Sequence, residues 1–158
     1  MYRVAAALIA LILWPVPAQA DVEVRVDKAS QRMFVSVDGE MRHFWTVSTG
    51  LGGGPHNGSY KPQRLERKWF SRKYNMAPMP YAIFFDGNYA IHGTTHVRQL
   101  GRRASKGCVR LHPQNAAVLF ALVKKHGAAN TSIVIEPAAT AQAEPRPKLP
   151  RLAERRSR

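Results

Sequence analysis

Residues 91–111 read IHGTTHVRQLGRRASKGCVRL, and the fold of the chain is expected to be organised around this stretch. It holds the only cysteine of the chain, Cys108, and two of the six histidines, His92 and His96. A cysteine with a histidine elsewhere in the chain is the minimum set for a thiolate nucleophile and its base. The stretch therefore predicts a thiol active site supported by the rest of the chain.

The residues around Cys108 favour a reactive thiol over a small buried hydrophobe, which is the ordinary alternative for a lone cysteine. They form a polar, positively charged loop that contains Arg102, Arg103, Lys106, Gly107 and Arg110. Because positive charge lowers the pKa of a nearby thiol, we expect an exposed Cys108 with a lowered pKa.

His92 is expected at the end of a strand, and Cys108 is expected just before a helix. A loop that folds back would bring the imidazole to the sulfur, so that His92 takes the thiol proton and an ion pair forms. The amides of Gly107 and Cys108 are predicted to form an oxyanion hole. Nucleophile, base and oxyanion donor together are what acyl transfer requires.

A zinc site is the sharpest alternative for the same residues. The possible ligands are His92, His96, Cys108 and His112. The four-residue spacing of the first two histidines brings them together only on a helix, and His-Gly-Thr-Thr-His is a poor helix former. No Glu follows His92 as in a His-Glu-x-x-His site, so this motif predicts no metal site.

The hydrophobic pattern predicts a mainly β domain with one main α-helix. Strands are predicted at 22–26, 33–37, 44–48, 81–85, 89–92 and 131–135, with turns at 38–39 and 86–88. The helix is expected to begin at Pro113 and to end at Gly127. Its predicted apolar face consists of Ala116, Leu119, Phe120 and Val123.

Two further segments between these strands carry distinctive compositions. Residues 49–58 form a glycine-rich loop without the Lys-Ser/Thr of a P-loop, and this loop is predicted to be a rim of the site. Residues 60–74 are basic and aromatic, which suits an amphipathic strand pair or, as an alternative, single-stranded nucleic acid binding.

The two ends of the chain are interpreted separately from the domain at 21–136. Residues 1–20 have a positive start, a short apolar core and a final Ala-Gln-Ala, which is the pattern of a cleaved signal peptide; an uncleaved anchor is the alternative. Residues 137–158 are rich in Ala, Pro and Arg without an apolar period, and are predicted to be a disordered basic tail, a possible tether. The protein is therefore expected outside the cytoplasm, without a stable membrane span.

The chain is strongly basic, with a formal net charge of +14. Residues 21–136 carry 17 Lys and Arg against 8 Asp and Glu, which leaves +9 on the domain. Such a charge predicts an anionic partner: a cell-wall polymer, an acidic lipid surface or extracellular nucleic acid.

These residues resemble the L,D-transpeptidase (YkuD-type) catalytic domain family. The resemblance spans 21–136 and is carried by His92-Gly93-Thr94, Leu100-Gly101-Arg102 and Ser105-Lys106-Gly107-Cys108-Val109-Arg110, with support from 47–50, 79–81 and the predicted helix. It implies a compact β-sandwich or barrel-like domain. It also implies action on peptidoglycan stem peptides without a metal or organic cofactor, in the periplasm or cell wall.

The resemblance also assigns roles to residues. It implies that Cys108 is the nucleophile, that His92 is its base and that the Gly93 carbonyl orients the imidazole. It places Ser105, Lys106, Gly107, Arg110 and Tyr81 in the substrate-binding and oxyanion region. The implied reaction releases D-Ala and joins the acyl group to a second stem peptide or a wall-attached protein.

Two departures from the family pattern bear on this reading. Lys106 stands where the motif usually has a second histidine, and it is expected to favour the thiolate of Cys108. Pro55-His56-Asn57-Gly58 replaces the usual Thr-Pro-x-Gly. The alternatives are an L,D-carboxypeptidase, in which water takes the acyl group, a non-catalytic wall-binding module and, third, a nucleic-acid binder.

Overall fold

The computed structural model describes residues 21–137. The strands of this part are β1 (Val22–Asp27), β2 (Arg32–Val37), β3 (Glu40–Thr46), β4 (Gly58–Tyr60), β5 (Arg64–Glu66), β6 (Phe70–Ser71), β7 (Ala77–Pro78), β8 (Ala82–Asp86), β9 (Tyr89–Gly93), β10 (Val109–Leu111) and β11 (Thr131–Glu136). A single α-helix within the described range, α1, covers Pro113–His126, and short 3-10 turns cover Arg72–Tyr74 and Val97–Gln99.

The first sheet has the strand order β3-β2-β1-β11-β4. Its centre is built from β1, where Val22, Val24 and Val26 are fully buried while the residues between them are not. The Asp38-Gly39 turn between β2 and β3 has φ values of 52° and 79°, as a tight hairpin turn requires. The last strand of the domain, β11, pairs with the first, β1, in parallel.

The second sheet has the order β10-β9-β8-β5, and its strands β9 and β10 contain the two ends of the 91–111 stretch. β8 and β9 form an antiparallel hairpin, whereas β9 and β10 run parallel. Helix α1 follows β10 and packs mainly against β9. β9 and β10, the strands beside the predicted active site, therefore belong to a sheet that α1 packs against.

The main hydrophobic core lies between the two sheets and the helix. Its largest fully buried members include Met33 and Ile133 of the first sheet, Phe85 and Ile91 of the second, and Leu119 of the helix. This arrangement confirms the predicted mainly β sandwich with one main helix, and among residues 21–137 the sheets do not close into a barrel.

The ends of helix α1 follow the predicted signals. Pro113 occupies its first turn, and Gly127 at its C-terminal end donates its N–H to the Val123 carbonyl. His112 precedes the helix, and its Nδ1 accepts from the Gln114 N–H at 3.4 Å. Of the predicted apolar face, Phe120 alone is only half-buried, because its ring meets Tyr81 at the rim of the core.

Two details of the fold differ from the sequence prediction. Strand β10 stands between Cys108 and the helix, so the cysteine lies at the start of a strand. The basic segment at 60–74 does not form one strand pair: β4, β5 and β6 join three different sheets. The short strands leave Trp69 free to pack edge-on against Phe84, with ring centroids 5.7 Å apart.

The signal peptide predicted at 1–20 and nearly all of the tail predicted at 137–158 lie outside the described residues. Within residues 21–137, no helix is long and apolar enough to cross a membrane.

Candidate active site

The parallel pairing of β9 and β10 brings the sequence-predicted residues together. Arg110 lies opposite His92 in the register, and Val109 lies opposite Ile91. Because side chains alternate along a strand, Cys108 and Arg110 share one face of the sheet with His92. From strand spacing and rise, the Cα atoms of Cys108 and His92 are about 8 Å apart. All three residues line one cavity.

The imidazole of His92 is buried and is fixed by its own neighbour in the chain. Its Nδ1 lies 2.7 Å from the Gly93 carbonyl oxygen. A carbonyl only accepts, so Nδ1 carries the hydrogen and Nε2 keeps its lone pair. Burial lowers the pKa of His92 to about 4; the Gly93 carbonyl opposes this shift and the Arg110 charge adds to it. His92 is therefore a neutral base at physiological pH.

Cys108 is half-buried, and this corrects the expectation of an exposed thiol with a lowered pKa. Its side chain packs on a second apolar cluster that includes Met79, Phe84 and Ala90. Burial raises the pKa of the Cys108 thiol, although a hydrogen bond from the Ala90 backbone and the charge of Arg110 act in the opposite direction. Thiol and imidazole are thus both neutral at rest, rather than the expected ion pair.

Ser105 holds the turn that presents the cysteine. Its hydroxyl is buried, donates to the Cys108 carbonyl at 2.6 Å and accepts from the Gly107 N–H at 3.1 Å. The Gly107 amide is therefore engaged within the turn. The oxyanion role expected for the Gly107 and Cys108 amides stays a prediction.

Gly107 is required by its backbone conformation and by its neighbour. Its φ is +134°, and a Cβ built there would lie 2.4 Å from Cε1 of Tyr89. The glycine-rich loop approaches the same point: a Cβ on Gly50 would lie 2.9 Å from the Gly107 Cα. This loop reaches the turn before Cys108 through a bridge between Gly50 and Ser105. It therefore forms a rim of the site, as predicted.

Two cavities share part of their lining, and Cys108 lines one of them. The larger has a volume of about 740 Å³ and is lined by Cys108, His92 and Arg110, with segments 69–79 and 84–89 supplying much of its wall. The smaller, of about 490 Å³, lies over the glycine-rich loop. Their shared residues are Tyr74, Tyr89, Ser105 and Lys106.

The two cations predicted near the sulfur have different positions. Arg110 is oriented by hydrogen bonds from Nη1 to Gln99 Oε1 at 3.1 Å and to the Ala104 carbonyl at 3.5 Å. Lys106 is exposed, and its Nζ lies 5.6 Å from the centre of the Tyr74 ring. The charge of Arg110 lowers the pKa of the Cys108 thiol, against the larger opposite effect of burial.

The structure does not bring Tyr81 to either cavity. Its ring packs edge-on against Phe120 of α1, with centroids 5.8 Å apart, and its place in the substrate region stays a prediction. The four candidate zinc ligands are not gathered either: His112 caps α1, and no group of three His, Cys, Asp or Glu residues within 21–137 could hold a metal ion.

Sequence reasoning missed several residues that line the larger cavity. Among them are Trp69, Tyr74, Asn88 and Tyr89. The basic, aromatic composition of 60–74 was a signal for a ligand-facing wall, but the pattern did not show which rings turn inward. The Asn88 carbonyl, 3.9 Å from the Cys108 sulfur, left no sequence signal because every residue has one.

Comparison with known proteins places this geometry in a family. A family model described as the L,D-transpeptidase catalytic domain, YkuD, matches residues 21–135. No curated protein matches the chain at a significant level.

Solved structures with the same fold include L,D-transpeptidases from three organisms. One from Mycobacterium smegmatis is 22% identical with a TM-score of 0.64. The match covers 74% of this chain and 59% of that chain. One from Stackebrandtia nassauensis is 25% identical with a TM-score of 0.63, and the shares are 75% and 58%.

The third is L,D-transpeptidase 3 from Mycobacterium tuberculosis in complex with a faropenem-derived adduct. It is 16% identical with a TM-score of 0.63, and the match covers 73% of this chain and 60% of that chain. The chain thus spans about three fifths of the length of these solved proteins. With the family model matching nearly all of the described residues, the chain belongs to the L,D-transpeptidase (YkuD) catalytic domain family.

Proposed function

We propose that this protein is a cysteine-dependent L,D-transpeptidase that acts on peptidoglycan stem tetrapeptides. Cys108 is the nucleophile, and His92 is the general base and acid. The observation that carries the proposal is the Nδ1 contact of His92 with the Gly93 carbonyl, on a strand whose partner, β10, begins directly after Cys108. It leaves Nε2 as the basic nitrogen on the face where the thiol lies.

The first half-reaction transfers the acyl group to sulfur. His92 Nε2 takes the Cys108 thiol proton as the sulfur attacks the carbonyl carbon at the L-centre of the diamino acid, the third stem residue. The C–S bond forms, and the carbonyl oxygen becomes an oxyanion. When the tetrahedral intermediate collapses, the C–N bond breaks and the imidazolium gives its proton to the departing D-Ala amine. A thioester on Cys108 remains.

The Cys108 amide is the backbone donor that we assign to the oxyanion. Ser105 supports it indirectly, because the Ser105 hydroxyl fixes both the Cys108 carbonyl and the Gly107 N–H. Such preorganised donors are aimed before the reaction begins and are not reoriented during it. Ser105 and Gly107 are therefore positioning residues in this proposal.

The second half-reaction transfers the acyl group to an amine. An amine of another stem peptide, or of a wall-attached protein, attacks the thioester carbon while His92 Nε2 removes its proton. The C–S bond breaks, and the proton returns to the sulfur. The two cavities that share Ser105 and Lys106 support separate approaches for donor and acceptor.

The neutral resting pair fits this cycle. Burial disfavours both the thiolate and the imidazolium, so each charge appears only when proton transfer creates the other. The resting thiol is then protected from adventitious electrophiles and oxidants, which react with the thiolate. This protection suits a free cysteine in an exported protein.

We further propose that the protein works in the periplasm or cell wall, delivered by the signal peptide assigned to residues 1–20. The charge of +9 on residues 21–136 supports an anionic wall polymer as the partner. The tail at 137–158 adds six basic and two acidic residues, and it is proposed as a tether.

The test is turnover of a disaccharide tetrapeptide by the mature protein beside Cys108→Ala, followed by mass spectrometry of the products. The proposal predicts release of D-Ala and a cross-linked dimer with wild type, and neither with the variant. Tripeptide without dimer would identify an L,D-carboxypeptidase. Binding of wall polymer by both proteins without any product would identify a non-catalytic module.

A further inference from the structure

The larger cavity has an uneven charge. Its lining cations are Arg64, Arg72, Lys73, Lys106 and Arg110. The lining residues include one carboxylate, Asp86, which already contacts His56 Nδ1 at 3.2 Å. An anionic ligand is therefore favoured over a neutral one of the same shape.

Two of these cations are committed elsewhere. Arg64 pairs with Glu66 at 3.1 Å and lies over the Trp69 and Phe84 rings, at 4.3 and 4.0 Å from their centroids. Arg110 is bonded to Gln99 and to the Ala104 carbonyl. For Arg72, Lys73 and Lys106 no acidic partner is found among residues 21–137.

Lys73 and Lys106 converge on one ring. Each Nζ lies 5.6 Å from the centre of Tyr74, so the two nitrogens are at most twice that distance apart. The residues come from separate segments: Lys73 from the turn Arg72–Tyr74, and Lys106 from the turn that carries the nucleophile. Two like charges beside one ring, with no acidic partner among residues 21–137, form a site that a carboxylate would complete.

The place of this pair relates it to the reaction. Tyr74 and Lys106 line both cavities, and Lys106 is two residues before Cys108. An anion held there lies in the cavity that Cys108 also lines. Stem peptides offer carboxyl groups in this region, on the glutamyl residue and on the D-centre of the diamino acid, and each exists as a carboxylate or as a neutral carboxamide.

We infer that Lys73 and Lys106, set against Tyr74, form a carboxylate clamp that selects acyl donors with a free carboxylate over donors in which that group is amidated. The inference rests on the proposed function and adds its substrate class. A carboxylate accepts charge-assisted hydrogen bonds from both ammonium groups, whereas a carboxamide presents one neutral oxygen and an NH₂ that cannot bond to them. Lys106 thus has a role of its own where the family motif usually has a histidine.

The experiment measures kcat/KM for three matched tetrapeptide donors: the free acid, the glutamyl amide and the diamino-acid amide. They are compared in wild type, Lys73→Gln, Lys106→Gln and Lys106→Arg. Lys68→Gln is the control, since Lys68 is exposed and lines neither cavity. The amide that wild type disfavours identifies which carboxylate is held.

We expect wild type and Lys68→Gln to prefer the free acid over one amide by about tenfold or more, the range of a charge-assisted hydrogen bond. In both glutamine variants the ratio should fall to within about twofold of one, while Lys106→Arg keeps most of it. The preference should also weaken with added salt.

An unchanged free-acid preference in both glutamine variants would overturn the clamp, as would equal use of all three donors by wild type. In those cases continued turnover would leave the proposed function standing. Absence of turnover with every donor by folded wild type would overturn the proposed function, and the clamp with it.

Discussion

His92 Nδ1 lies 2.7 Å from the carbonyl oxygen of Gly93, the next residue in the chain. The contact needs no third side chain, because the strand end supplies the acceptor. Gly93 is itself fixed by its N–H bond to the Pro80 carbonyl at 2.8 Å, and a Cβ there would lie 3.1 Å from the Pro113 Cα. Strand, connector and helix thus meet at the group that selects the tautomer of the base.

His92→Asn separates the two nitrogens of the ring. The Asn amide reaches the position of Nδ1 and keeps the bond to the Gly93 carbonyl, but it has no counterpart of Nε2. We expect turnover of a tetrapeptide donor to fall by about 10²–10⁴-fold with little loss of folding. His43→Asn, on β3 of the other sheet, is the control and should keep wild-type turnover; a His92→Asn variant that retains turnover would remove His92 as the base.

The same residue predicts how stability depends on pH. Unfolded His92 binds its proton near pH 6.5, whereas the folded residue does so only near pH 4. Between these values the unfolded state binds more protons, so the free energy of unfolding falls as the pH falls, by about 3 kcal/mol from this residue. Urea unfolding from pH 7 to pH 4 should show a shallower decline for His92→Asn than for wild type; parallel curves would contradict a buried, neutral imidazole.

The raised pKa of Cys108 predicts slow alkylation. Burial keeps the thiol protonated, so its rate with iodoacetamide should rise with pH at higher values than that of a small model thiol. The measurement is the second-order rate between pH 5 and pH 10, in wild type and in His92→Asn. A rate plateau already at pH 6 in wild type, lost in the variant, would instead indicate a resting ion pair.

Gly107→Ala tests the turn that presents the sulfur. The new Cβ would meet the Tyr89 ring at 2.4 Å, on a backbone with φ of +134°. We expect the free energy of unfolding to fall by about 2–4 kcal/mol. Gly53→Ala is the matched control, because its φ is also positive, at +85°, but no atom lies within 4 Å of its Cβ. It should lose only about 1 kcal/mol, and equal losses in the two variants would show that the Tyr89 contact is unimportant.

Ser105→Ala removes the hydroxyl that bonds both the Cys108 carbonyl and the Gly107 N–H. Leaving these groups unpaired should cost about 1–3 kcal/mol, and the displaced sulfur should lower turnover by about 10–100-fold. Thermal unfolding and peptide turnover check both effects. Ser59→Ala, at an exposed position of β4, should change neither; turnover at the wild-type level in Ser105→Ala would mean that the turn holds its shape without the hydroxyl.

Local patterns in the sequence predicted the longer strands and the helix, but not the short strand β10. Residues close together in the chain encode the alternation of β1, the Asp38-Gly39 turn and the caps of α1. Pairings between distant segments were not predicted: β11 joins β1, and β9 joins β10 in parallel, through contacts that no short pattern encodes.

The protonation state of Cys108 could not be predicted from the sequence for the same reason. The loop around Cys108 is basic, which predicted a thiolate. The burial that reverses this prediction comes from Met79, Phe84 and Ala90, residues that only the fold brings to the sulfur. Likewise Tyr81 matches the family pattern in sequence, yet its ring turns toward Phe120 and away from the cavity.

The most direct test of the central claim, that Cys108 is a competent acyl acceptor, is the intact mass of the mature protein after incubation with faropenem. The reagent acylates a reactive thiol, and Cys108 is the only cysteine of the chain. The account predicts a covalent adduct on reduced wild type and none on Cys108→Ala. A folded, reduced wild type that stays unmodified, or an adduct that persists in Cys108→Ala, would contradict it.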